Sequence, residues 1–274
     1  MIGKLTRLAG SGQRLATQGV SGALIASATR GRTVETVADL GGLSVSALME
    51  RVGTGIFTAI DFAISQFASD TAVRADVTRI VRCDLDPRAL ERQLVRDVAW
   101  RSAARGAVSG IPAVIPAAGT MIELAAAVAD SLALTVTEAR MVLALAHLRG
   151  LDLQATALRR LDIMIVLGMA AGAAEIDGGI IRIGREELSI AMLRSGTMAP
   201  ETAVALGSAI GADVVRKVAR RRTSGILVRL LPCGISIVAA AWSDWRLTGS
   251  VGKQAVAYFD LVAPMPELAA SARS

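Results

Sequence analysis

Apolar residues recur at helical spacing along much of the chain. The first regular stretch, residues 43–69, repeats an apolar side chain every four residues, at Leu48, Val52, Ile56, Ile60 and Ile64. This spacing predicts a helix with one apolar face. Asp70 and Thr71 are residue types that cap helices, so they predict the start of a second helix that ends near Cys83.

The segment that begins at Asp86 carries clearer start and stop signals. Asp86 suits the N-cap and Pro87 suits the first helical position. Two glycines, Gly106 and Gly110, predict the end of this helix. Its inner face is predicted to consist of Leu90, Leu94, Val98 and, less regularly, Trp100.

The rest of the chain is also mostly helical in pattern. The predicted segments are Thr120–Arg149 stopped by Gly150, one or two helices over residues 152–175, and a helix that starts at Pro200 and Glu201. Residues 176–188 fit either a short hairpin or an irregular connection. The closing segment predicts two helices, broken around Pro232 and again around Gly249.

These patterns predict an all-α fold, a single bundle of apolar, Ala-rich helices with broken helical hairpins. Composition agrees, because 53% of the residues are hydrophobic and only 3% are aromatic, with a mean hydropathy of +0.50. Small apolar residues with few aromatics favour closely packed helices over a β-sandwich or barrel. We expect a basic, Gly/Ser-rich N-terminal arm over residues 1–42 and one helical domain over residues 43–274.

Membrane contact is a hypothesis that the apolar composition raises. The longest uncharged run, Gly106 to Ile122, falls short of the about 20 residues that a spanning helix needs and contains Pro112 and Pro116. Shorter apolar runs fit buried helices or segments lying at the interface. A broken hairpin that dips into the bilayer stays open as an alternative.

Positive charge is concentrated in one segment of a chain whose net charge is +6. The segment "RKVARRRTSGILVR" contains no acid, and its basic residues are Arg216, Lys217, Arg220, Arg221, Arg222 and Arg229. Such a cluster beside an apolar helix would attract anionic lipid headgroups. A solvated helix end is the alternative. We do not expect nucleic-acid binding, because interleaved aromatics and a known binding motif are absent from the sequence.

Two carboxylates interrupt the oily segment that follows Pro116. Glu123 and Asp130 are separated by about 700° of helical rotation, which places both, and Thr137 after them, on one stripe. About 10.5 Å along the axis is too far for both acids to act on one bond. We therefore expect buried anchors that meet an arginine or a helix end, or groups that bind the polar part of a ligand. Catalysis by Asp130 is the third alternative.

Several other chemistries lack their residues. A zinc site needs at least three convergent Cys or His ligands, whereas the chain has Cys83, Cys233 and His147. "GSVGKQ" fails as a phosphate loop, since the earlier Gly and the following Ser or Thr are missing. We expect no metal, no cofactor and no catalytic residue, and His147 fits a packed polar side chain. Two distant cysteines fit a reducing compartment.

Residues 86–260 resemble the EcsC family of bacterial proteins. The likeness rests on "GIPAVIPAAGTMIELAAAVADSLALTVTEARMVLALAHLRGLDLQ" and on "LLPCGISIVAAAWSDWRLTGSVGKQAVAYF". Asp130 falls at the family's helix Asp, Arg149 stands where an aromatic is usual, and Asp244 stands near the place of a frequent Asn. The resemblance implies a mostly helical protein linked to a membrane, in a family whose biochemical activity is poorly defined.

The functional expectation is a non-enzymatic accessory or regulatory protein at the cytoplasmic side of the inner membrane, peripheral or partly inserted. Its expected partner is the anionic membrane surface, together with a membrane protein or a lipid-like ligand. A carrier of an apolar ligand and a hydrolase that uses Asp130 are the alternatives. Trp242 and Trp245 fit either a membrane interface or the end of a core.

Overall fold

The computed structural model describes residues 45–109, 120–195, 198–229 and 235–264. Within these ranges the chain forms seven helices: α1 (Val45–Val81), α2 (Pro87–Ser109), α3 (Thr120–Leu148), α4 (Thr156–Ala171), α5 (Ile190–Arg194), α6 (Pro200–Arg229) and α7 (Ile235–Val262). Three short strands lie between α4 and α5. The all-α prediction is confirmed, and the expected N-terminal arm lies outside the described residues.

Helix α1 is continuous, so the predicted break at Asp70 and Thr71 is wrong. Asp70 accepts a hydrogen bond from the Arg74 side chain, four residues later, and a second one from Arg140 of α3. Thr71 is buried against the core. Both residues are therefore used in side-chain contacts of a single long helix, and neither caps a new one.

Helix α2 begins where its local signals predict. The backbone N–H of Ala89 donates to Asp86 Oδ1 at 2.9 Å, which is N-cap geometry. The helix runs past Gly106 to Ser109, so the predicted stop at Gly106 is wrong. A Cβ on Gly106 would stand 2.6 Å from Asp244 Oδ2, so glycine here permits close approach of α7.

Helix α7 lies antiparallel beside α2 and is also unbroken. It passes through Gly249 without interruption, which contradicts the predicted second break. The predicted break at Pro232 lies outside the described residues. A second close approach occurs where a Cβ on Gly252 would come 2.3 Å from Val95 Cγ1. Glycines on both helices thus bring the two backbones together.

The strands form a small antiparallel sheet in the order β1 (Ala174–Asp177), β2 (Ile180–Ile183), β3 (Glu186–Ser189). The hairpin alternative for residues 176–188 is the one observed, extended by a third strand. Gly178 and Gly179 have positive φ in the first turn, as a tight hairpin requires. Ile181, Ile183 and Leu188 face the core.

The core lies around α4. Every residue from Leu161 to Leu167 in that helix is buried, as expected of a helix that is mostly apolar on all sides. Helix α4 packs against α6 and α7, and α1 packs against α3. No helix in the described ranges has both the length and the apolarity to cross a membrane.

Candidate functional site

The predicted carboxylate stripe meets an arginine of α2. Arg105 Nε lies 3.6 Å from Asp130 Oδ1, and its Nη1 donates to Thr137 Oγ1 at 2.9 Å. Thr137 also donates to the carbonyl of Ala133. Asp130 and Thr137 therefore share one guanidinium, while the side chain of Glu123 lies outside the described residues.

The structure describes the side chains of four of the six residues in the predicted basic cluster. Lys217 Nζ donates to the carbonyl of Gly172 at 2.6 Å, at the C-terminal end of α4. Arg216 lies 3.7 Å from Asp213 and is largely exposed. Arg220 is exposed, Arg221 is half-buried, and the side chains of Arg222 and Arg229 lie outside the described residues. Of these described cations, Lys217 thus caps the C-terminal end of α4.

A second surface brings basic and aromatic side chains together. The three tryptophans of the chain are all accessible to solvent: Trp100 on α2 is 62% exposed, and Trp242 and Trp245 on α7 are 59% and 38% exposed. The predicted place of Trp100 on the inner face of its helix is therefore wrong. The rings of Trp242 and Trp245 stack at a tilt, with centroids 5.3 Å apart.

Exposed cations accompany these indoles on both helices. The surface that we call the tryptophan face consists of Arg92, Arg96 and Trp100 on α2 and of Trp242, Trp245, Arg246 and Lys253 on α7. None of the exposed side chains described on the two helices is acidic. Glu91 and Asp244 are buried, and Asp97 and Asp260 are ion-paired. The tryptophan face is therefore uniformly basic.

Sequence reasoning missed this face because it followed the apolar period of α2. Arg92, Arg96 and Trp100 are also four residues apart, and this second stripe defines the outer side of the helix. The mixture of basic residues with a tryptophan was the available signal. The pairing of α2 with α7, which adds Trp242 and Trp245, required the fold.

A groove of about 620 Å³ lies between the second half of α1 and the loop that follows α3. Ala68, Ala72 and Leu151 contribute apolar surface to it. At its rim His147 Nε2 lies 2.9 Å from Asp76 Oδ1, so the single histidine faces a carboxylate and not a nucleophile. Arg79 donates to the carbonyl of Leu148 at 3.2 Å and ties α1 to the end of α3.

One end of the bundle is joined by a buried ion-pair network. Arg149 contacts both carboxylate oxygens of Glu91, with Nη2 to Oε2 at 2.9 Å, and also donates to Asp260 at 2.7 Å. Burial opposes the charge of Arg149, but its hydrogen bonds to Glu91 and Asp260 outweigh that effect and leave its pKa raised. Arg88 extends the network through Asp260. The network connects α2 and α7 to the end of α3.

A second buried polar group lies between α4 and α7. Tyr258 donates its hydroxyl proton to Asp162 Oδ1 at 2.6 Å, and Arg159 Nη1 lies 2.9 Å from Asp162 Oδ2. Burial raises the pKa of Asp162, against the opposing influence of Arg159 and of the tyrosine. Burial and the neighbouring carboxylate both raise the pKa of Tyr258. Arg159, Asp162 and Tyr258 are all buried.

Within the described ranges, nowhere do three or more Cys, His, Asp or Glu side chains converge as metal ligands. The tryptophan face and the groove beside α1 are two surfaces on which a partner could bind.

Comparisons with known proteins add no relative. No protein-family model, no curated protein and no solved structure matches this chain.

Proposed function

We propose that this protein is a peripheral membrane protein of the EcsC type, an accessory or regulatory protein that binds anionic bilayers through its tryptophan face. The observation that carries the proposal is the exposure of all three tryptophans on two adjoining helices. A large aromatic side chain is costly to leave in water, and a protein with few aromatics has exposed three of them together.

Tryptophan suits the boundary between headgroups and acyl chains. Its ring is apolar and its indole N–H is polar, so it accumulates at this depth in membrane proteins. The cations Arg92, Arg96, Arg246 and Lys253 would lie at the level of the phosphates. Each is worth about 1 kcal/mol near an anionic leaflet. Aromatic insertion and charge attraction therefore act on the same surface.

The resemblance to the EcsC family supports the same proposal in a weaker way. Arg149 stands where the family usually has an aromatic residue. Its side chain is fully buried, so an aromatic ring at this position would also be shielded from water. The basic residues near the end of α6 can add attraction, with Arg216 and Arg220 exposed. We also propose that the protein binds at the inner face of a bacterial membrane.

Vesicle flotation tests the proposal. The purified full chain is mixed with neutral vesicles or with vesicles containing phosphatidylglycerol, at low and high salt. We expect binding to the anionic vesicles that weakens with salt, since screening shortens the reach of exposed charges. Replacing Trp242 and Trp245 by alanine should reduce binding at both salt concentrations, because it removes the inserted rings.

Val204→Ala is the matched control for the tryptophan variant. Val204 is exposed on α6, away from the tryptophan face, and is half accessible to solvent. Its replacement should leave binding unchanged. Equal binding by the tryptophan variant and the Val204 control would rule out the tryptophan face as the attachment surface. If binding is lost only when the charges of Arg220 and Arg221 are reversed, the basic cluster is the attachment surface.

A carrier of an apolar or lipid-like ligand is the second candidate function. The groove beside α1 favours it, because Ala68, Ala72 and Leu151 line the groove, and Val73 and Val77 lie exposed on the same helix. Native mass spectrometry of gently purified protein tests this candidate. A mass increment that is lost on replacing Ala72 by a bulky residue supports the carrier function, and a clean protein mass contradicts it.

A further inference from the structure

Two arginines from different helices bind the same carboxylate oxygen. Arg74 Nε of α1 and Arg140 Nη2 of α3 lie 2.8 Å and 2.9 Å from Asp70 Oδ2. One carboxylate thus holds two guanidinium groups close together on the surface. A single negative charge leaves this pair with an excess of positive charge.

A third arginine approaches Arg140 from α2. Arg105 contacts Thr137 and the carbonyl of Ala133 in α3, and Arg149 at the end of α3 contacts Glu91. Helices α2 and α3 therefore run antiparallel. Arg101, one turn before Arg105, therefore lies beside the turn of α3 that contains Arg140. Arg101 is exposed, and no described residue forms an ion pair with it.

The electrostatics agree with this register. Burial lowers the pKa of Arg140, Asp70 opposes that shift, and the nearby charges of Arg74 and Arg101 lower the pKa further. Arg74 and Arg140 thus share one carboxylate, and Arg101 is near enough to Arg140 to oppose its charge. An additional anion would relieve their mutual repulsion.

The site is also held in place before any ligand arrives. The guanidinium carbon of Arg140 lies 4.3 Å from the centroid of the Phe67 ring, in cation–π geometry. Its side chain is also three-quarters buried, so packing restricts its conformations. A pre-positioned guanidinium loses less conformational entropy on binding an anion than a free side chain does.

We propose that Arg74, Arg101 and Arg140 form a binding site for a phosphate group. A phosphate monoester carries up to two negative charges and three terminal oxygens, so it can accept hydrogen bonds from several guanidinium groups at once. The site stands apart from membrane attachment. A lipid headgroup is one source of that phosphate, because Arg101 directly follows Trp100 of the tryptophan face. Only this assignment to a lipid rests on the proposed function.

Titration calorimetry with inorganic phosphate tests the site itself. The wild-type chain should bind phosphate, and Arg101→Gln should weaken binding about tenfold or more, as loss of a charged hydrogen bond does. Arg185→Gln is the matched control, because Arg185 is exposed in the turn between β2 and β3 and its loss removes the same charge. We expect less than a twofold change for the control.

Asp70→Asn should change the phosphate affinity in the opposite direction. It removes the internal carboxylate that competes for Arg74 and Arg140, so phosphate should bind more tightly to this variant than to wild type. A variant that merely damaged the fold would bind more weakly. Absence of phosphate binding by wild type, or equal effects of Arg101→Gln and Arg185→Gln, would overturn the site.

Vesicles distinguish the source of the phosphate. Phosphatidic acid exposes a phosphomonoester and phosphatidylglycerol does not, so vesicles of the two lipids are compared at matched surface charge. A preference for phosphatidic acid that Arg101→Gln abolishes assigns the site to a lipid headgroup. Phosphate binding in solution without that preference assigns it to a soluble phosphate compound. Whichever source is found, the flotation of the tryptophan variant is measured as well. If flotation depends on the tryptophans, membrane attachment is separate from the phosphate site.

Discussion

Arg149, which directly follows α3, and Glu91 of α2 form a two-pronged ion pair in which the arginine side chain is fully withdrawn from water and the glutamate almost fully. Two opposite charges can be buried together because each satisfies the hydrogen-bonding groups of the other. Asp260 of α7 adds a third contact. The pair therefore joins three helices at one point.

Arg149→Met should lower the free energy of unfolding by about 3–5 kcal/mol, because Glu91 would remain buried without its cation. Urea denaturation followed by circular dichroism measures the change. The double variant Arg149→Met/Glu91→Met should recover much of the loss, since no buried charge remains. Additive losses in the double variant would contradict a role for the pair itself.

Tyr258 should make the protein sensitive to alkali. Its pKa in the folded chain lies well above the ordinary value of 10.0. Above pH 10 the unfolded chain loses the phenol proton while the folded chain keeps it, so stability falls as pH rises. Tyr258→Phe should remove this alkaline loss of stability, at a cost of about 1 kcal/mol at neutral pH for the hydrogen bond to Asp162.

The measurement is clean because the chain contains one tyrosine. Phenolate absorbance in the near ultraviolet, titrated on the folded protein, reports Tyr258 alone. We expect the signal to appear together with unfolding. Titration at the ordinary tyrosine pKa in a fully folded protein would contradict the buried hydrogen bond.

Two glycines of α7 should respond in opposite directions to alanine. At Gly252 the new Cβ would meet Val95, so Gly252→Ala should destabilise the protein by about 1–3 kcal/mol. At Gly249 no atom lies within 4 Å of the new Cβ. Gly249→Ala should therefore stabilise the helix by about 0.5–1 kcal/mol. Thermal unfolding of both variants gives the comparison, and destabilisation of equal size would contradict a close approach specific to Gly252.

Arg105 should matter for stability through the groups that it joins. Arg105→Met removes the guanidinium from Asp130 and Thr137, and we expect a loss of about 1–3 kcal/mol. The control is Arg96→Gln on the exposed side of the same helix, with an expected change below about 0.5 kcal/mol. Chemical denaturation measures both. Equal stability of the two variants would contradict an anchoring role for Arg105.

The sequence predicts those elements whose signals are local. The start of α2 depends on Asp86 and Pro87, which act within one turn, and the structure places it there. The predicted break at Asp70 failed because the partner that occupies this carboxylate, Arg140, is distant along the chain and near only in the fold. A capping residue and an ion-pair residue look identical until the partner is known.

The candidate surfaces show the same limit. The stripe of Asp130 and Thr137 followed from helical rotation alone, but its partner Arg105 belongs to another helix. Periodicity placed Leu90, Leu94 and Val98 correctly against the core, but it assigned Trp100 to the same face, and Trp100 is exposed. The buried pair of Tyr258 and Asp162 carried no sequence signal, because each residue stands alone in its helix.

The close approach of α2 and α7 at Gly106 and Gly252 has a mechanical consequence. Two backbones locked together at two points cannot slide or rotate against each other, so the distance between Trp100 and Trp242 is fixed by the fold. A molecule that rests on one helix can roll about that helix. A molecule that rests on two helices whose relative position is fixed keeps a single tilt against the surface that it contacts. The opposite side of the molecule then always faces the same direction.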